Sequence, residues 1–261
     1  MFGTIILDAF TKSETMEIIE ALDELVNPLD NYGWASAGIY SFWNYYTKEL
    51  LYIGLAVDLT ERFKQHNGII PMDPNGCKKD KIEEYFGSCD KLGYTIFVQS
   101  SMSQPATHRN KQLWNGLDIK MFDVQDYRDD LVRDDIRRVE GILIESYRIK
   151  HGDLPPWNRV GGSILGQQSV NPGNYNEIVA SFSSMDPNLL TARYSLREIS
   201  NNPTFERYEN TMHAIRMHML LWGMSFGEAR NLIKRSDSTG FFEKTIQEMN
   251  RAGYFKRLLA I

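Results

Sequence analysis

The 261-residue chain is 42% hydrophobic and 24% charged, the balance of a globular protein with material for one large domain or two small ones. Its net charge of −5 gives no general attraction to nucleic acid, but the sum hides a gradient: Arg159 to Ile261 carries 12 basic against 9 acidic residues (+3), and the first 158 residues carry 17 against 25 (−8). Two isolated cysteines, Cys77 and Cys89, argue against a disulfide framework or a cysteine zinc site; with no cationic signal-peptide start and no run long enough to cross a bilayer, the chain reads as a cytoplasmic protein without a membrane partner.

In chain order, "GTIILDAF" reads as a strand, and Thr11-Lys12-Ser13-Glu14 as a capping box before a helix from Thr15 to about Val26, stopped near Asn27-Pro28. "AGIYSFWNYY" and "LLYIGLA" are aromatic and β-branched runs separated by Thr47-Lys48-Glu49, which predicts a β-hairpin. Asp58-Leu59-Thr60-Glu61 opens a helix through about His66. A Pro- and Gly-rich loop, a short helix from Asp80 to Phe86 and a third strand from Gly93 to Ser100 follow. The stretch from Ser101 to about Phe122 is weakly patterned, and a long helix then runs from about Asp126 to Lys150, ended by Gly152 and Pro155-Pro156. Beyond "PPWNRVGGSILGQQSVNPGNYN" the patterns are helical to the end, with Met212, Ile215, Met219 and Leu220 expected on one face.

The hairpin holds two tyrosines whose spacing matters. A three-residue loop sets Asn44 opposite Tyr52, so Tyr40 and Tyr52 project from one face of the sheet. Gly38 and Gly54 allow close approach of a backbone or ligand, and Arg62 and His66 stand one above the other at i and i+4 on the next helix. Phenols, a guanidinium and an imidazole gathered in this way can hold a phosphate and move a proton. On the long helix, Glu140 borders the apolar stripe of Val132, Ile136, Val139 and Leu143, where an ionised carboxylate needs compensation such as a bound cation. Glu145, three residues before Arg148, reads as a solvated surface pair.

Together, Gly38-Ile39-Tyr40, Tyr52-Ile53-Gly54, Arg62, His66, Glu140 and the Asn158 of "PPWN" resemble the signature of the GIY-YIG endonuclease superfamily, in order and over about Ala37 to Asn158. The Glu140–Asn158 interval is longer than is usual there, consistent with an inserted turn, and further insertions fall at Asn67–Lys79 and Ser101–Tyr127. The resemblance implies an α+β fold: a small three-stranded antiparallel sheet flanked by helices, spanning residues 1–158 with its N-terminal strand and helix, then a mainly helical region from 159 to 261 for DNA recognition or oligomerisation. It implies hydrolysis of DNA phosphodiesters with one Mg²⁺ held by Glu140. Tyr40 serves as general base or water orienter and Tyr52 supports the water or phosphate. Arg62 stabilises developing charge, His66 assists proton transfer, and Asn158 positions backbone or phosphate.

The closest likeness within the superfamily is to type II restriction endonucleases, the nuclease half of a restriction-modification pair acting on double-stranded DNA. The alternatives are a homing or repair nuclease, for which the expected linker, repeats or helix-hairpin-helix are missing, and a catalytically silent DNA-binding subunit, against which the full signature argues. Discrimination between sites must come from outside the signature, because the signature residues address phosphate, water and metal, which are the same at every sequence. Gln167, Gln168 and Asn171 have the amide chemistry for adenine edges, and Arg230, Lys234, Arg235 and Lys244 lie on two helices that could form a helix-turn-helix, pack as plain helices, or make a homodimer or higher homo-oligomer interface.

Overall fold

The computed structural model describes residues 2–26, 37–71, 76–99, 129–171, 175–186 and 188–261. The 101–127 insertion, part of the Asn67–Lys79 insertion, the stop at Asn27-Pro28 and the Val132 side chain lie outside them.

"GTIILDAF" is apolar at both parities, with Ile5, Ile6 and Leu7 in succession, and such a strand needs cover on both faces. It becomes β1 (Phe2–Phe10) and pairs antiparallel with β4 (Leu92–Gln99), Leu7 opposite Thr95. The sheet therefore has four strands and not three. Its order is β1-β4-β2-β3, with β2 (Gly38–Asn44) and β3 (Leu50–Ala56) forming the hairpin, and all neighbours antiparallel. The class is α+β, with ten α-helices among the described residues.

The hairpin register differs from the expected one. Phe42, not Asn44, stands opposite Tyr52, and a bulge lies between Phe42 and Trp43. The turn is wider than three residues: Asn44 N–H donates to the Glu49 carbonyl and Lys48 N–H to the Asn44 carbonyl, both at 2.8 Å, with Lys48 in the left-handed region at φ 61°. The register moved by two residues, so parity is kept and Tyr40 and Tyr52 still share a face.

On that face Tyr40, Phe42, Tyr94 and Ile96 pack under α1 (Thr15–Val26), α2 (Leu59–His66) and α3 (Lys79–Phe86). The same core takes in Tyr194, Ile199, Met212, Ile215, Ile246 and Met249 from the chain after Arg159. On the other face Ile39, Trp43, Ile53 and Phe97 meet Ile136, Leu143, Ile144 and Tyr147 of α4 (Asp129–His151), with Val179 and Phe182 beside them. The short helices α5 (Ile164–Gln168), α6 (Asn176–Ala180) and α7 (Leu196–Ser200) were not evident from the sequence pattern. They are followed by α8 (Pro203–Trp222), α9 (Phe226–Ser236) and α10 (Phe241–Arg251). The stripe expected on α8 divides: Met212, Ile215 and Met219 join the first cluster, and Leu220 the second.

Both outer strands have their free edges closed by chain from beyond α4, which removes a template for aberrant pairing. Ile5 of β1 donates to the Leu190 carbonyl (3.0 Å) and accepts from Ala192 N–H (2.8 Å). A buried ion pair, Arg216 to Glu209 at 2.8 Å, anchors α8 there; Arg216 also donates to Thr4 Oγ1 and the Thr191 carbonyl, and Tyr254 Oη donates to Glu209.

Candidate active site

The outer edge of β3 organises the site. In an edge strand, alternate residues turn their N–H and C=O outward, and these must find partners. Leu51, Ile53 and Leu55 are the outward set. The Leu51 carbonyl accepts from Trp157 N–H at 2.8 Å. Ile53 is matched in both directions by the Asn158 carboxamide, Ile53 N–H to Oδ1 at 3.0 Å and Nδ2–H to the Ile53 carbonyl at 2.8 Å. Leu55 N–H hydrogen-bonds the Glu140 carboxylate. Asn158 therefore acts as a strand-like clasp on backbone, and Glu140 reaches round the edge from the α4 layer towards the tyrosine face.

Gly54 is the cross-strand partner of Tyr40. A Cβ there would lie 2.7 Å from Tyr52 Oη and 2.9 Å from Tyr40 Oη, so the bare glycine is what lets both phenol oxygens converge over one point of the strand. Gly38 has a different reason, since its Cβ would meet the Phe97 carbonyl at 2.4 Å within the sheet.

A directed chain of hydrogen bonds enters this point from α3. Lys78 N–H can only donate, so His66 Nδ1, at 3.0 Å, is the acceptor. In the neutral ring the proton then sits on Nε2, and Nε2–H donates to Tyr40 Oη at 2.5 Å. Tyr40 Oη in turn is hydrogen-bonded to Tyr52. His66 is fully buried, and burial, with the charges of Arg62 and Lys78, pushes its pKa down to about 3. The imidazole is thus a neutral donor to Tyr40 at physiological pH, which gives it a defined part in proton positioning. Burial, with the neighbouring Tyr52, pushes the Tyr40 phenol well above its ordinary value, and burial raises Tyr52 too.

Arg62, one turn before His66 on α2, is close enough to act electrostatically on Tyr40, Tyr52, His66 and Glu140 alike. Burial pushes the Glu140 carboxyl up to about 7, against the pull of the Leu55 N–H, Arg62 and Arg137. A carboxylate in this position suits a hard cation: Mg²⁺ is often held by one or two carboxylates, substrate phosphates and waters, and a positive charge beside Glu140 would favour its ionised form. Among the described residues no group of three or more His, Cys, Asp and Glu side chains gathers, at Glu140 or elsewhere. Glu145 is paired with Arg148 as expected, at 2.6 and 2.8 Å, but it is largely buried where a solvated pair was expected.

Two residues outside the signature belong to this neighbourhood. Lys78 is buried and its ammonium lies 4.8 Å over the Tyr52 ring; Arg159 is near enough to lower its pKa, after the larger effect of burial. The sequence carries little signal for either, because Lys78 follows a Pro- and Gly-rich loop and meets His66 only through the fold.

The residues considered for base contact behave differently from one another. The segment from Gly161 to Gly166 is held against α4 beside Glu140: a Cβ on Gly141 would be 2.5 Å from the Ser163 carbonyl, and one on Gly162 3.4 Å from Glu140 Oε2. Gln167 spends a side-chain N–H on the Gly162 carbonyl at 3.0 Å, whereas Gln168 and Asn171 are exposed. Arg230 and Lys234 both face Glu243, at 2.7 and 3.8 Å, and so tie α9 to α10; Arg235 and Lys244 are exposed. No helix among the described residues is long and apolar enough to cross a membrane. Compared with protein-family models, curated proteins and solved structures, the chain gives no match.

Proposed function

We propose that the chain is a Mg²⁺-dependent DNA endonuclease of GIY-YIG type, a site-specific enzyme of the type II restriction class. The observation that carries the reading is the convergence of Arg62 on two phenols, a neutral imidazole that donates to Tyr40 and a half-buried carboxylate at one strand edge. A phosphodiester set against that edge meets a guanidinium able to fork onto its oxygens and offset the charge that grows in the transition state. Tyr40, its oxygen held by His66 Nε2–H, orients the attacking water, and Tyr52 holds the water or the phosphate. Asn158 keeps Ile53, and with it the Tyr52-Ile53-Gly54 strand, at fixed depth. Glu140 would hold Mg²⁺, which when bound would neutralise phosphate charge and acidify bound water.

Sequence discrimination is assigned to the chain after Arg159, where Gln168, Asn171, Arg235 and Lys244 are exposed. The test is digestion of phage and plasmid DNA of known sequence in Mg²⁺. Discrete, reproducible fragments are expected from the wild type and none from Glu140→Gln. A smear removes the site-specific part of the reading, and intact DNA under all divalent cations removes the nuclease.

A further inference from the structure

We propose that Lys78 is a phosphate-holding residue of this site, its ammonium positioned to take a non-bridging oxygen of the DNA backbone lying against Arg62 and Glu140. The inference rests on the nuclease reading and adds to it a residue that the signature does not contain.

Lysine is almost never buried without an anionic partner. Lys78 is only 6% exposed, and among the described residues no carboxylate stands within salt-bridge distance of its ammonium. The ring of Tyr52, 4.8 Å away, gives a cation–π contact, a weaker partner for a buried ammonium than an anion would be. The charged groups nearest it add to the imbalance: Arg159 acts on Lys78 directly, and Arg62 acts on the same tyrosine and histidine that Lys78 touches. Arg62 and Arg137 both act on Glu140 while Arg159 acts on Lys78, so cations outnumber carboxylates among the described groups of this site. The backbone of Lys78 is fixed by its N–H bond to His66 Nδ1 and by its place as the residue before α3, so the side chain leaves from a held point. The ammonium lies over the face of Tyr52, the ring whose hydroxyl is expected to meet the phosphate. A buried ammonium at that point, with no carboxylate partner among the described residues, is complementary to an anion with several acceptor oxygens, which a phosphodiester provides.

Wild type, Lys78→Met and Lys78→Arg are compared for binding of a fluorescent DNA duplex in metal-free buffer across a salt series. Lys78→Met is expected to flatten the slope of log affinity against log salt by about 0.9, the loss of one phosphate contact. At saturating protein it is expected to slow single-turnover cleavage by about 10²-fold. Lys78→Arg should keep the slope and most of the rate, a rescue that a purely structural role would not give. Wild-type slope and rate in a folded Lys78→Met protein overturn the proposal. Should that variant not fold, the wild-type lysine ¹⁵Nζ spectrum decides, with the Lys78 signal identified as the one absent from Lys78→Arg. It should move on addition of duplex, and less with inorganic phosphate at equal concentration; no movement with duplex overturns the proposal. Wild type that binds and cuts duplex while Lys78→Met matches it removes Lys78 alone, whereas wild type that neither binds nor cuts removes the nuclease reading and Lys78 with it.

Discussion

Replacing Glu140 by Gln should abolish cleavage and at the same time stabilise the metal-free protein at alkaline pH. Burial raises this carboxyl from 4.5 to about 7 in the folded chain. Below pH 4.5 it is protonated in both folded and unfolded states, and Glu and Gln should be nearly equivalent. Between 4.5 and 7 the unfolded chain ionises first, so wild-type stability falls as pH rises, and above 7 the penalty is constant. The full difference is an upper bound of about 3 kcal/mol. Gln retains an acceptor for the Leu55 N–H and nearly the same volume, so a gain of about 1–3 kcal/mol is expected at pH 8, or roughly 3–10 °C in Tm. Thermal melts in a chelator at pH 4.5 and pH 8 measure it: the variant should gain at pH 8 and not at pH 4.5. Added Mg²⁺ should raise the wild-type Tm at pH 8 and leave the variant unmoved. Equal stability of the two proteins at both pH values would refute the reasoning, because the carboxylate would then carry no desolvation cost for a cation to relieve.

Arg62→Ala should slow single-turnover cleavage by roughly 10²–10³ with a smaller effect on duplex affinity, and a rise in Kd alone would make Arg62 a binding residue only. Gly54→Ala places a methyl 2.6–2.9 Å from Tyr52 and from Tyr40 Oη, so a loss of about 10² in rate is expected, and unchanged kinetics would show that the two hydroxyls need not converge. Asn158→Ala leaves the Ile53 N–H and C=O without their partner, for an expected cost of about 1–3 kcal/mol by urea melt; a stable variant with lost cleavage would point instead to direct contact with DNA. Truncation after Gly162 removes the Arg216–Glu209 pair and the chain that closes the edge of β1, so circular dichroism should report an unfolded or aggregated product; a cooperative melt would show that residues 1–162 fold alone.

What the sequence determined by itself is local. Tyr40 and Tyr52 fall on one face because strand parity survives a two-residue error in register, and Arg62 and His66 stack because the helix after Asp58 has a fixed period. The long helix, its apolar side and the Glu145–Arg148 pair were legible for the same reason. Tertiary structure decided whatever depends on a partner far along the chain. β1 reads as a strand, but its place as the fourth member of the sheet follows from pairing with β4, some ninety residues away. Asn158 reads as a polar residue after a proline run, and only the free edge of β3 makes it a clasp. His66 has two ring nitrogens of equal standing in the sequence, and the Lys78 N–H assigns them. Arg230 and Lys234 look like free cations on a helix until α10 brings Glu243 against them. Burial and hydrogen-bond direction are properties of packed neighbours, so the spacing of these residues was legible in the sequence while the fold alone set which way their protons point.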